Sequence, residues 1–149
     1  QIHKKCQRYT SLIDNELPQT VVIIVDTIGI LSSLYQYAKV AYIGGGFGKG
    51  IHNTLEAATF GLPVIFGPKY QKFQEAVDLV ATEAAFPVHN YATFDSVLSN
   101  LLDDPLLLST SGDSARKLVL DNLGATEQIL DFTLDQPKEP EAVKSNREM

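Results

Sequence analysis

Cysteine is nearly missing from this 149-residue chain: Cys6 is the only one. A lone cysteine forms no internal disulfide, which excludes a disulfide-stapled scaffold and agrees with a reducing compartment. No apolar run approaches the ~18 residues that cross a bilayer, and the opening QIHKKCQRYTS is not organised as a signal peptide. His3 and His89 have no Cys, Asp or Glu at metal-ligand spacing. No serine sits in a G-x-S-x-G elbow. The chain starts at Gln1 rather than Met and reads as a piece of a longer polypeptide.

What remains is enough for one ordinary domain. A hydrophobic content of 44% against 20% charged residues supports a buried core and argues against disorder. The net charge of −6 is unevenly spread. Residues 39–72 carry Lys39, Lys49, Lys69 and Lys72 against Glu56 alone, whereas residues 73–149 are strongly acidic. An acidic chain that keeps its positive charge around one segment suggests a local anion site, not a nucleic-acid surface.

Periodicity supplies the organisation. TVVIIVD (Thr20–Asp26) is a continuous β-branched run after a turn signal, and it predicts a strand buried on both faces. Leu31 to Ala38 has helical spacing, with Tyr35 and Tyr37 read as core and surface residues. VAYIGG predicts a second strand and NTLEAATFG a short helix closed by Gly61. LPVIFGP predicts a third strand, residues 71–84 a helix, and AFPVHN a short fourth strand. TFDSVLSNLLDD predicts a helix with a Thr or Asp cap. Two further helices are expected over 106–122 and 126–134, separated by Gly124. The sum is an α/β domain over residues 1–134, a three-layer α/β/α Rossmann-like parallel sheet with helices on both faces. Residues 135–149 read as a polar tail.

The segment YIGGGFGKGIHNTLE (Tyr42–Glu56) carries the chemistry. Open α/β sheets bind ligands beyond the carboxyl ends of strands, which is where this loop falls. Glycines admit positive φ and close approach of a ligand to backbone amides, and a helix N-terminus favours an anion. Neither G-x-G-x-x-G nor the P-loop pattern fits in any register, which argues against a dehydrogenase and an ATPase. His52, Asn53 and Glu56 share one side of the first helical turn. A carboxylate there can accept hydrogen bonds from a ribose diol, while His52, the amides and Lys69 suit a phosphate or sugar acid. The Asn53–Glu56 spacing also matches a capping box that needs no ligand.

From Asp26 to Asp131 the chain resembles the C-terminal half of the 3-deoxy-D-manno-octulosonic acid (Kdo) transferases of lipopolysaccharide synthesis, which are two-domain GT-B glycosyltransferases. The resemblance runs through a strand-ending D-T-x-G, a helix ending near Y-x-x-A, G-G before a short loop, H-N-x-L-E and P-V-x-x-G-P. It implies the donor-binding domain for CMP-Kdo, with Gly45, Gly46, Gly48, Lys49, Gly50, His52, Asn53, Thr54, Glu56, Pro68 and Lys69 at the donor. The family pattern has Glu at Ile30, Ser at Gly46, Gly at Ile51 and often His at Lys69. Also implied are a general base in an N-terminal domain outside this chain, a lipid A precursor and membrane contact through that domain, and action at the cytoplasmic face of the bacterial inner membrane. No cofactor and no metal are expected, and the isolated piece is expected to be inactive. Two other readings stay open: the donor domain of a GT-B enzyme using a UDP-sugar, or a non-catalytic α/β interaction domain in which the capping box is the whole account.

Overall fold

A computed structural model describes residues 5–12, 21–124 and 130 of the chain. The expected helix over 126–134, apart from Leu130, and the polar tail lie outside the described residues. In chain order the elements are β1 (Cys6–Arg8), a 3₁₀ turn (Tyr9–Ser11), β2 (Val22–Ile24), α1 (Leu31–Tyr35), β3 (Ala41–Tyr42) and α2 (Leu55–Thr59). Then follow β4 (Val64–Phe66), α3 (Gln74–Ala81), β5 (Ala85–Pro87), α4 (Tyr91–Asp103) and α5 (Pro105–Asp121).

All four expected strands form, and every pairing is parallel. A fifth, β1, was not expected, because CQR has no apolar alternation. The strands make two sheets, β1-β2 and β3-β4-β5. Pro87 falls on β5, an edge strand, where its missing N–H costs no ladder bond. The other edge of the three-stranded sheet is β3, which pairs with no further strand among the described residues.

Side-chain alternation along β4 places a helical layer on each face. Val64 and Phe66 point into a cluster with Ala57 and Ala58 of α2, Ala76 and Leu79 of α3, and Ala115 of α5. Ile65 points the other way, with Leu101 of α4 and the partly buried Phe94 and Leu107. Alanines dominate the first cluster because α2 and α3 lie close against the sheet. At one point no side chain fits at all: a Cβ on Gly112 of α5 would overlap the carbonyl of Gly61. Gly61 itself has φ +68 and ends α2, its N–H donating to the Ala58 carbonyl at 2.9 Å.

The strand expected to be buried on both faces is a correction. In β2 and beside it, Val21 is 62% exposed, Ile23 48% and Ile24 49%. Its β-branched run does form a strand, but among the described residues the only strand paired with it is β1 and neither core cluster includes it. A second correction concerns the cap of α4. Neither Thr93 nor Asp95 is the N-cap; Asn90 is, accepting from the Thr93 N–H at 2.9 Å. The Thr93 hydroxyl closes the box by accepting from the Asn90 N–H at 3.1 Å. Asp104 caps α5 by accepting from Leu106 and Leu107, and Pro105 occupies the first helical position as its missing N–H allows.

Candidate functional site

The carboxyl ends of β3 and β4 carry the two loops that build the site. After β3 the chain turns on itself: Gly45 and Ile51 face each other as an antiparallel bridge. Gly46 N–H donates to the Gly50 carbonyl at 2.6 Å, and His52 N–H to the Gly44 carbonyl at 3.2 Å. Phe47, Gly48 and Lys49 form the tip. Gly45 and Gly46 have φ of +96 and +81, and a Cβ on Gly46 would stand 2.7 Å from the Gly67 backbone. These two glycines are therefore required for loop closure and for contact with the second loop, not for approach of a ligand. The Gly46 amide is already engaged. Among the described residues, the amides of Gly48, Lys49 and Gly50 make no backbone hydrogen bond, so any amide cradle lies at the tip.

The second loop is pinned to the first. Lys69 N–H donates to the Gly46 carbonyl at 2.9 Å, and the Phe73 ring lies where a Cβ on Gly50 would reach it at 2.8 Å. Pro68 sits at the start of this loop, half-buried.

His52, Asn53 and Glu56 are brought together as the spacing predicts, and all three are exposed. They stand at the mouth of a cleft of about 630 Å³ running along β3 from Val40 to Gly44, walled on the far side by Leu31, Leu34 and Tyr35. The expected capping box does not form: the N-cap of α2 is Thr54, which makes no side-chain cap hydrogen bond, and Asn53 stands one residue before it. Asn53 Oδ1 accepts from Leu55 N–H at 3.0 Å, satisfying the first amide of α2, while Asn53 Nδ2 donates to Glu56 Oε1, also at 3.0 Å. Glu56 does not reach back to the backbone. Its carboxylate is held on one oxygen by a neutral amide, and the residue lines the cleft. Helix α2 is five residues long and its first N–H is taken by Asn53, so the expected helix N-terminus contributes little to anion binding.

Thr54 is placed differently from its neighbours. It is fully buried, and its hydroxyl has no hydrogen-bond partner. It lines neither loop cavity. Tyr35, read as a core residue, is half-buried against Phe60 but also lines the cleft. Burial, and then the charge of Glu56, push its hydroxyl pKa above the usual tyrosine value, so it presents a neutral O–H near Glu56. Tyr42 was likewise missed; it stands 50% exposed on the cleft and packs edge-on against Phe94. Alternation along VAYI could have pointed to it, since Ala41 and Ile43 are its buried neighbours.

The expected site residues thus divide between two cavities. His52, Asn53 and Glu56 face the cleft beside β3, while Gly45, Gly46, Gly50, Thr54 and Pro68 line neither cavity. Gly48, Lys49 and Lys69 line a second cavity of about 550 Å³ together with Gln71, Lys72 and Phe73. Among the described residues no group of His, Cys, Asp and Glu is arranged to hold a metal ion.

No protein-family model matches the chain. Curated proteins do. The 3-deoxy-D-manno-octulosonic acid transferase of Rickettsia conorii is 33% identical over 126 residues, covering 81% of this chain and 27% of that protein. The transferase of the same name from Bordetella pertussis is 34% identical over 120 residues, covering 79% and 28%. That of Aquifex aeolicus is 41% identical over 83 residues, covering 54% and 24%. This chain therefore spans about a quarter of the length of these relatives. In fold it is similar to the crystal structure of the C-terminal CMP-Kdo binding domain of WaaA from Acinetobacter baumannii, with a TM-score of 0.65 at 22% identity over 78% of this chain and 61% of that one. That likeness agrees with the parallel α/β architecture expected for the C-terminal half of a GT-B enzyme. Over about four fifths of its length the chain thus matches one part of the 3-deoxy-D-manno-octulosonic acid transferases.

Proposed function

We propose that this chain binds CMP-Kdo and is the donor-binding part of a glycosyltransferase that moves Kdo onto a lipid A precursor. The observation that carries the reading is the Asn53–Glu56 pair, a carboxylate fixed by a neutral amide at the mouth of an open cleft. Such a carboxylate can accept hydrogen bonds from a ribose diol at full strength, since the amide orients it without neutralising it. The amides of Gly48 to Gly50 and the Lys49 ammonium lie on the same loop and suit the phosphate. As the sugar–phosphate bond breaks, charge gathers on the departing CMP, and fixed donors stabilise that charge more than the ground state.

The acceptor, the general base and the membrane contact are assigned to the rest of the longer polypeptide. No helix among the described residues is long and apolar enough to cross a membrane. Glu56, engaged by Asn53 and directed at the donor, is a binding carboxylate rather than the base that deprotonates an acceptor. The reading accordingly has this chain bind donor without turning it over.

Titration with CMP and with UDP tests the reading against a UDP-sugar enzyme. CMP is expected to bind the more tightly, and Glu56→Gln to weaken it by about tenfold, the worth of one hydrogen bond to a charged group. UDP binding without CMP binding would overturn the proposal in favour of the UDP-sugar reading. Binding of neither nucleotide, with the fold intact, would favour an interaction domain.

A further inference from the structure

We propose that a cavity at the amino end of β3 and β4, closed on one side by α5, binds a free amino acid with an apolar side chain. Lys39 leads into β3 and Gly61 to Pro63 lead into β4, so this cavity lies at the opposite end of the strands from the donor loops. It shares Ala38 with the Glu56 cleft and no residue with either donor loop. Its volume of about 430 Å³ is in the range of small-ligand sites.

Three charged side chains line it: Lys39, Asp113 and Arg116. All three are exposed, and both signs are present, yet among the described residues none of the three takes part in an ion pair. Arg116 is held in place by the backbone. Its Nη2 donates to the Phe60 carbonyl at 3.4 Å, and its Nε stands 3.2 Å from where a Cβ on Gly61 would be. The guanidinium thus lies over the glycine that ends α2, with most of its five N–H donors left for a ligand. Such a planar fork reads a carboxylate, and Lys39 adds a second positive point. Asp113 stands three residues before Arg116 on α5 and so shares its side of the helix.

The combination selects the ligand. A simple anion leaves Asp113 opposed, and a simple cation leaves Lys39 and Arg116 opposed; a zwitterion answers both signs. A multiply charged phosphate is disfavoured by the same Asp113. Between the charges the wall is apolar, with the buried Leu62 and the partly buried Phe60 and Leu108. That wall cannot give way easily, because a Cβ on Gly112 would already overlap the Gly61 carbonyl behind it. Carboxylate, ammonium and hydrocarbon are the three groups of an apolar α-amino acid, and three contact points distinguish its two hands.

The test is an amide-resolved NMR titration of the chain with L-leucine at constant ionic strength. Saturable shifts are expected at residues 38–39, 60–63 and 108–116. D-leucine, 4-methylpentanoate (which lacks the ammonium) and 3-methylbutylamine (which lacks the carboxylate) should each bind at least about tenfold more weakly, the worth of one hydrogen bond to a charged group. Asp113→Asn should make L-leucine and 4-methylpentanoate equal, a comparison of two ligands on one folded variant that a merely structural effect does not move. Arg116→Lys, which keeps the charge but not the fork, should weaken both by about tenfold. Lys117→Ala, on the same helix but outside the cavity, should change neither. Absence of saturation with L-leucine, equal affinity for D-leucine or 4-methylpentanoate, or unchanged binding in Arg116→Lys would overturn the proposal. The titration reads the amino end of the strands, so its result stands whether or not CMP binds at the other end.

Discussion

Thr54 shows how much a single residue can differ from its neighbours. His52, Asn53 and Glu56 are exposed around it, yet Thr54 is fully buried with an unpaired hydroxyl. An unsatisfied buried hydroxyl costs about 1–3 kcal/mol, and valine has the same shape without it. Thr54→Val is therefore expected to stabilise the chain by about 1 kcal/mol, seen as a higher urea midpoint with an unchanged slope. A lower midpoint would mean that the hydroxyl has a partner. The spacing of three between Asn53 and Glu56 was enough to read their contact, because residues three apart on a helix are neighbours. It was not enough to read the inward turn of Thr54, which depends on where the sheet lies. The same limit hid Lys72. As a charge it was visible in the basic block, but its meeting with Lys49 needs the backbone contact between two loops 20 or so residues apart, which no local pattern encodes.

Close backbone approach governs the elements. Gly112 sits inside α5, where alanine is normally preferred by about 1 kcal/mol. Here a Cβ would overlap the Gly61 carbonyl at the end of α2. Gly112→Ala is expected to destabilise by about 1–3 kcal/mol, the range for forcing an extra carbon into a packed site, so the sign of the change decides which effect wins. Equilibrium denaturation is sufficient to measure it. At the other end of the chain, the link between β1 and β2 depends on Asp26. Its carboxylate accepts from the Thr10 N–H at 3.1 Å and from the Thr10 hydroxyl at 2.8 Å, with Arg8 at 3.9 Å. The backbone bond from Thr10 first, then its hydroxyl, hold the Asp26 pKa below its ordinary 3.8. A carboxylate with a lowered folded pKa stabilises above its ordinary value, and that contribution is lost as pH falls through the lowered one. The amides of Val21 and Val22, which donate to the Lys5 carbonyl, should lose protection against hydrogen exchange below about pH 4, and Asp26→Ala should remove that pH dependence. A pH-independent protection factor in the wild-type chain would count against the link.

At the level of the whole molecule, strand–helix alternation was enough to read the parallel sheet and its two covered faces. The sites of β2 through β5 were legible because apolar runs bounded by Gly, Pro and Asp mark strands. The strand order was not legible, nor was the division into two sheets, since pairing between distant strands leaves no local mark. Exposure of β2 escaped for the same reason. A continuous Val-Ile run looks alike whether or not anything covers it. The division has a practical consequence for solution behaviour. Ala41 and Ile43 donate their N–H groups toward β4, to the Pro63 and Ile65 carbonyls at 3.0 and 2.8 Å, so the N–H and C=O of Tyr42 between them face the unpaired side. That edge holds Val40, Ala41 and Tyr42, with neither charge nor proline to guard it, and β2 displays Ile23 and Ile24. Unguarded edges recruit strands from other molecules. Light scattering on a purified dilution series should therefore find association that grows with concentration, and Tyr42→Lys should suppress it without unfolding the chain. A strict monomer at every concentration would show the edge to be closed. If the association appears, the working lifetime of this chain in a tube is set by how often two copies meet edge to edge, and dilution will preserve it better than cooling.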